Sequence, residues 1–447
     1  MNSKVAKYLL YYPTVMIKGE SVGKYLLEYN NSQWLSEDEI YELQNRKFLQ
    51  LFRYAIGSIP FYRSIYKGIE AGDIRSLADI TKLPKITKDD VKNYNNQMVS
   101  REFILTARKT TGGSTGEPIT IIKSRESLAR ERAATWRSYK WAGIDVGDRQ
   151  VRFWGVPLRT KDRMKYKIID FISNRIRLSA FSFDSQKMKQ YFEQINEYNP
   201  KYIYGYVSMI DQFSRYMIEN SKTLSTKIIA VITTSEVLLE ENRRIIEEAF
   251  KSNVYNEYGC GEVGSIAHEC EEGNLHVMAE NIYLEIENND DKEKRKMGEI
   301  IITELNNYAM PLIRYQIKDF SDEVGNRKCT CNRGLPVIGN IIGREYDMIK
   351  NGKGMLFHGE FFMYIIEDLK RKKDKSIRQF QVIQEKKSCL CIKIVSGEDY
   401  HRDDEVYIAR RIKDGLGPEF EIRFERVDNI PREASGKIRL IKSLCAD

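Results

Sequence analysis

The 447-residue sequence has no apolar run near the roughly twenty residues needed to span a bilayer, which argues against a transmembrane helix. The N-terminal stretch Val5 to Met16 is only loosely apolar. Lys7 and Pro13 break it, so it lacks the core and cleavage site of a signal peptide. Seven cysteines are few and odd in number for a chain of this length, which speaks against a disulfide framework and for a reducing compartment. The cytoplasm is the expected location. No basic motif interleaved with aromatics suggests nucleic acid as a partner, and the net charge of +8 is modest. Lys370 to Lys373 is the densest basic run and reads as a solvated helix end. No repeat, low-complexity tract or Walker-type Gly-Lys-Ser/Thr is present.

What is present is a large apolar fraction, 42%, beside 30% charged residues, enough for a sizeable core in two domains. Residues 1–95 read as mostly helical. Ser36 is a helix cap followed by acidic first-turn residues, and Thr87 starts another short helix. Residues 96–343 then alternate strands and helices. The helices fall at Arg125 to Trp141, Met188 to Asn196, Met209 to Ser221 and Glu240 to Phe250. The strands fall at Val151 to Val156, Tyr202 to Tyr206, Ile228 to Thr234 and Val254 to Glu257. That alternation predicts an α/β fold whose mostly parallel sheet is covered by helices on both faces, with ligands beyond the carboxyl ends of the strands. Leu284 to Leu305 reads as antiparallel strands. Residues 344–447 read as a smaller α+β domain.

The chemistry centres on Thr110 to Pro118, TTGGSTGEP, expected between short strands at Phe103 to Leu105 and Ile119 to Ile122. Gly112, Gly113 and Gly116 let backbone amides approach a ligand closely, and the hydroxyls of Thr110, Thr111, Ser114 and Thr115 add donors. Such a loop suits a nucleotide triphosphate. A flexible surface turn is the bland alternative. Separately, His268-Glu269-Cys270 and Cys329-Thr330-Cys331 are two close pairs. Brought together, they would form a tetrahedral sulfur and nitrogen set suited to structural zinc, with Cys260 and His276 as spare ligands. Reduced buried cysteines are the alternative.

TTGGSTGEP resembles the phosphate loop of the adenylate-forming superfamily. Four further segments resemble that family's motifs in order: NEYGCGE (Asn256 to Glu262), RYQIKDF (Arg314 to Phe320), GREYDMI (Gly343 to Ile349) and PREASGKIR (Pro431 to Arg439). Length, the TTSE segment at Thr233 to Glu236 and the paired cysteines point to the phenylacetate–CoA ligase branch and its capsular-polysaccharide (CapK-like) relatives.

The resemblance implies a carboxylate-activating ligase. Acyl-adenylate formation is followed by transfer to coenzyme A or to an amine or hydroxyl acceptor. It implies that Thr110, Thr111, Gly113, Ser114, Thr115 and Gly116 hold the phosphates, and that Glu262 binds Mg²⁺. Asn256, Tyr258 and Gly259 would meet the adenine opposite Ser235 and Glu236, and Asp319 would hold the ribose hydroxyls. Arg344 and Lys437 would act on the ribose, the phosphates and the attacking carboxylate. The small domain would swing about Glu345 to Asp347 to change half-reactions. Some members of this branch also carry zinc at the Cys/His pairs.

The sequence departs from the family pattern at Gly112, Ile119 and Gly261, where hydroxyl, lysine and hydroxyl side chains are common. Gly261 in particular supports a second reading, a catalytically degenerate nucleotide-binding scaffold in a polysaccharide assembly complex. Expected partners are ATP, Mg²⁺, structural zinc, a carboxylic acid and an acceptor thiol or amine, with a second copy of the chain as a further candidate.

Overall fold

The computed structural model describes residues 1–447 except 111–118, 155–159, 180–184, 237, 239, 289–297, 322–323, 326–327, 340, 343–348, 352–355, 358–359, 374–375, 431–440 and 446–447. No described helix is long and apolar enough to cross a membrane.

The N-terminal region is helical. Its longest helix, Glu37–Ser58, begins with a reciprocal cap: the Ser36 hydroxyl accepts from the Glu39 amide, and the Glu39 carboxylate accepts from the Ser36 amide. Thr87 caps Lys88–Asn93 in the same way. Phe48, Leu51, Phe52 and Ala55 recur at helical spacing and are fully buried against the core.

Strands β1 (Thr106–Thr110) and β2 (Thr120–Ser124) form an antiparallel ribbon with Thr110 opposite Thr120. The ribbon therefore closes around the glycine segment, but the first strand lies later than the expected Phe103 to Leu105. Ile104 and Leu105 are exposed, and the ladder instead uses the polar run TARKT. A two-stranded ribbon has little buried face to reward apolar residues, so pattern alone misplaces it.

The central sheet contains β3 (Gln150–Trp154), β4 (Arg175–Ser179), β5 (Tyr202–Tyr206), β6 (Ala230–Thr234), β7 (Val254–Cys260), β8 (Gly264–Glu269) and β9 (Leu275–Val277). A second, antiparallel sheet begins with β10 (Ile282–Asn288), β11 (Gly298–Glu304) and β12 (Tyr315–Ser321). β13 (Val337–Ile338) returns to the central sheet, and β14 (Ile341–Ile342) extends the second. The central order is β13-β9-β8-β7-β6-β5-β3-β4, parallel from β4 to β7 and antiparallel beyond.

Helices Ser185–Tyr198, Val207–Glu219 and Glu240–Phe250 supply the crossovers that parallel strands require. Alternation along each strand then sorts the two faces. Val151, Phe153, Ile203 and Val231 join the core that contains Phe213 and Ile246. Tyr202, Tyr204, Ala230 and Ile232 face Tyr139 of helix Arg125–Trp141. The α/β expectation therefore holds, although the sequence reading did not find β4 or β8.

After the short ribbon β15 (Ile349–Lys350) and β16 (Leu356–Phe357), a separate four-stranded sheet follows: β17 (Ile377–Lys386), β18 (Cys389–Ser396), β19 (Glu421–Arg426) and β20 (Ile441–Ser443), in the order β19-β18-β17-β20. Helices Glu360–Lys372 and Arg402–Leu416 accompany it. The boundary expected at 343/344 lies outside the described residues.

Candidate active site and metal centre

β6 ends at Thr234, and Ser235 then turns the chain with φ of +69°, a left-handed conformation that costs energy for a residue with a Cβ. That turn points the next residue, Glu236, into a cavity of about 1070 Å³. β7 runs beside it, and Asn256, Tyr258 and Gly259 line the same cavity. β7 and β8 form a tight hairpin with a register shift after Tyr258. Glycine is needed here on both strands. A Cβ on Gly259 would meet the Gly264 carbonyl oxygen at 2.4 Å, and Gly264 itself has φ of +87° with the Glu131 carboxyl where its Cβ would be.

Glu262, in the hairpin turn, lines the cavity and accepts a hydrogen bond from the Tyr315 hydroxyl at 3.3 Å. Asp319, buried on β12, accepts from the Tyr258 hydroxyl at 2.9 Å. Ser235, Glu236, Asn256, Tyr258, Gly259, Glu262 and Asp319 thus share one cavity. Thr110 ends β1, while Thr111, Gly113, Ser114, Thr115 and Gly116 lie outside the described residues, as do Arg344 and Lys437.

The RYQIKDF segment divides by role. Arg314 is buried, ion-paired with Glu285 and bonded to the Leu83 carbonyl at 2.6 Å, so it ties β12 to the helical region rather than facing the cavity. Asp319, five residues on, faces it.

Several lining residues were missed, Glu257 inside NEYGCGE and others outside any motif. Glu257 accepts from the Tyr139 hydroxyl at 2.9 Å and the Ser265 hydroxyl at 3.2 Å. Burial raises its carboxyl above the ordinary range, against the pull of those two donors and of the Arg152 cation. Arg152, Trp154 and Tyr204 form a second wall on β3 and β5. Only the alternation of β3, in which Arg152 and Trp154 share a face, could have flagged them.

The metal-ligand expectation needs one correction. The atoms that converge are the sulfurs of Cys270, Cys329 and Cys331 and a ring nitrogen of His276, all within 4.8 Å of one another. His268 is not among them. It sits on β8, an interior strand, with its ring edge-on to Tyr139 at 5.7 Å and Nε2 3.9 Å from Glu257. Burial lowers its pKa to about 3, so the ring is neutral. His276 is its partner one strand outward on β9, and it is also paired with Val337 on β13, the strand that follows the Cys329 to Cys331 turn. Sheet register therefore selects the histidine that sequence proximity to Cys270 does not.

The His276 Nδ1–H donates to the Leu335 carbonyl at 2.9 Å, which leaves the Nε2 lone pair facing the Cys331 sulfur at 3.2 Å. The Cys270 and Cys329 sulfurs are 3.6 Å apart. That is close to the ~3.8 Å edge of a tetrahedron with metal–sulfur bonds of ~2.3 Å. Three sulfurs and one oriented imidazole fit zinc.

Residues 352–444 match the CapK C-terminal domain family. Protein CapK of Staphylococcus aureus is 26% identical over 416 residues, covering 90% of this chain and 89% of that one. Phenylacetate-coenzyme A ligase of Thermus thermophilus is 22% identical, covering 92% and 98%. Among solved structures, 2-hydroxyisobutyryl-CoA ligase with 2-HIB-AMP and CoA has the same fold, with a TM-score of 0.58 at 17% identity, covering 92% of this chain and 91% of that one. The C-terminal stretch thus matches the CapK C-terminal domain family, the chain is similar over almost its whole length to CapK and to phenylacetate-coenzyme A ligase, and it shares the fold of a CoA ligase.

Proposed function

We propose that the protein activates a carboxylic acid with ATP and passes the acyl group to an acceptor. A carboxylate oxygen attacks the α-phosphorus, the bond from that phosphorus to the bridging oxygen breaks, and pyrophosphate leaves with the electron pair. The observation that carries this reading is the convergence of Glu236, Asn256, Tyr258, Glu262 and Asp319, spread over more than eighty residues of sequence, on one cavity. The reaction concentrates negative charge on transferring oxygens, so the protein's work is positioning and neutralisation.

In this reading Tyr258 holds the Asp319 carboxylate ready to accept from the ribose hydroxyls. The backbone turn at Ser235 presents Glu236 beside the adenine, with Asn256 across from it. Glu262 is a hard oxygen donor that would hold Mg²⁺, and that ion supplies charge neutralisation at the phosphates. The glycine segment from Thr110 to Gly116 would take the β- and γ-phosphates. Lys437 would bridge carboxylate and α-phosphate, and Arg344 would approach the ribose or the phosphates.

Phenylacetate-coenzyme A ligases among the relatives support a thiol acceptor, and an amine or hydroxyl acceptor in polysaccharide assembly is the alternative. Gly261 favours a second reading, nucleotide binding without turnover, because it brings no hydroxyl next to Glu262. Exchange of labelled pyrophosphate into ATP separates the two. Exchange that depends on an added acid supports activation, and ATP binding without exchange for any acid supports the scaffold.

The Cys270, His276, Cys329 and Cys331 set would hold a structural zinc ion, since four protein ligands leave no open position. Elemental analysis of purified protein is expected to give one zinc per chain. Cys331→Ala is expected to lose the metal and lower the melting temperature. Metal-free protein that melts at an unchanged temperature would reject the ion's structural role.

A further inference from the structure

One cation in the cavity makes no ion pair among the described residues. Arg152 lies over the rings of Trp154 and Tyr204, its guanidinium carbon 4.3 and 4.6 Å from their centres. Its Nε is buried without a hydrogen-bond partner, and among the described residues the side chain makes no ion pair. The neighbouring arginines differ. Arg175 and Arg177 both pair with Asp170, at 2.5 and 3.0 Å. Glu257, a carboxylate on the same face, attracts Arg152 without pairing with it and accepts instead from the hydroxyls of Tyr139 and Ser265. Aromatic rings hold and orient the Arg152 guanidinium but give its N–H groups no acceptor. A buried donor left unmade costs free energy, which a ligand oxygen recovers.

The backbone of Arg152 lies away from the proposed nucleotide residues, although its guanidinium reaches over Tyr204 far enough to attract Glu257 on β7. Its strand β3 is three strands from β7 in the order β7-β6-β5-β3. At about 4.8 Å per strand that is roughly 14 Å across the sheet. A group held by Arg152 against Trp154 would thus sit on the β3 side of the cavity, across the sheet from Asn256 and Tyr258. The wall between is aromatic, with the Tyr139 ring edge-on to Tyr202 and tilted against Tyr204.

Resting on the activation reading above, we infer that the acid substrate is dianionic, with a second carboxylate or comparable anionic group at its distal end bound by Arg152 against the Trp154 and Tyr204 rings. Arg152 is then the residue that determines acid specificity, and purely apolar aryl or alkyl acids are poor substrates.

The test uses matched acids in the pyrophosphate-exchange assay: 4-carboxyphenylacetate against phenylacetate, and adipate against hexanoate. The wild-type protein is expected to favour at least one diacid by roughly ten- to a hundredfold in kcat/KM, the discrimination that one charged hydrogen-bonded contact gives. Arg152→Leu is expected to bring that ratio to about one while the KM for ATP stays unchanged. Arg152→Lys is expected to restore part of it. The unchanged KM distinguishes lost recognition from a misfolded variant. If apolar acids exchange as well as their diacid partners, or if Arg152→Leu leaves the ratio unmoved, this inference is overturned and activation stands. If no acid of either kind supports exchange, the activation reading fails and this inference fails with it.

Discussion

Lys437→Ala is expected to slow acyl-adenylate formation by two to three powers of ten, the scale seen when one preorganised donor is withdrawn from developing negative charge. The lysine belongs to PREASGKIR, within the stretch that matches the CapK C-terminal domain. Its proposed role is confined to the first half-reaction. There the attacking carboxylate and the α-phosphate, both anionic, must be brought together, and a cation between them stabilises the transition state more than either ground state. The KM for ATP should therefore change little while the exchange rate collapses. Transfer from a chemically supplied acyl-adenylate to the acceptor should continue. Pre-steady-state measurement of each half-reaction separates the two, and an unchanged adenylation rate in the variant would remove the lysine from the mechanism.

The largest expected loss of stability is at Arg137. Its side chain is fully buried on helix Arg125–Trp141, and it donates to the Glu280 carboxylate at 3.0 and 3.4 Å. Glu280 also accepts from the Ser32 hydroxyl at 2.7 Å, so the pair joins the N-terminal helices, the long helix and the segment between β9 and β10. Alanine at 137 leaves a carboxylate buried with its cation gone. Breaking one partner of such a pair costs about 3–5 kcal/mol. Arg137→Ala should shift the denaturation midpoint accordingly. The double replacement Arg137→Met with Glu280→Leu should recover most of the loss, since it removes both charges and keeps the volume. A single variant that unfolds within ~1 kcal/mol of the parent would show that Glu280 finds other compensation. Lys123 and Glu304, buried and 2.6 Å apart, form a second such pair close by.

Much of the fold was legible because parallel strands and their crossover helices carry strong periodicity. Tyr202–Tyr206 and Glu240–Phe250 appear where the pattern predicts them. The long helix Arg125–Trp141 does too, although several of its buried positions are small or polar, such as Ala133, Ser138 and Arg137. The candidate cavity was legible where short motifs occur: Asp319 and Glu262 both line it although the spacing between their motifs fixes no distance. Two kinds of information were not available from the sequence. Sheet register is set by long-range pairing, so His276 rather than His268 joins the cysteines. The cavity wall formed by Arg152, Trp154 and Tyr204 carries no motif. Arg152 looks from the sequence like one polar residue in an apolar strand, and only the strand's neighbours show that it lies over aromatic rings.

The central claim is that a carboxylate attacks ATP in the cavity where Tyr258 meets Asp319. The most direct measurement is exchange of labelled pyrophosphate into ATP by the metal-replete full chain, over a panel that includes apolar monoacids and diacids. The account predicts label in ATP only when an acid is present, and its loss in Asp319→Ala. Label that enters without any acid, or an absence of exchange with every acid while ATP still binds, would contradict it.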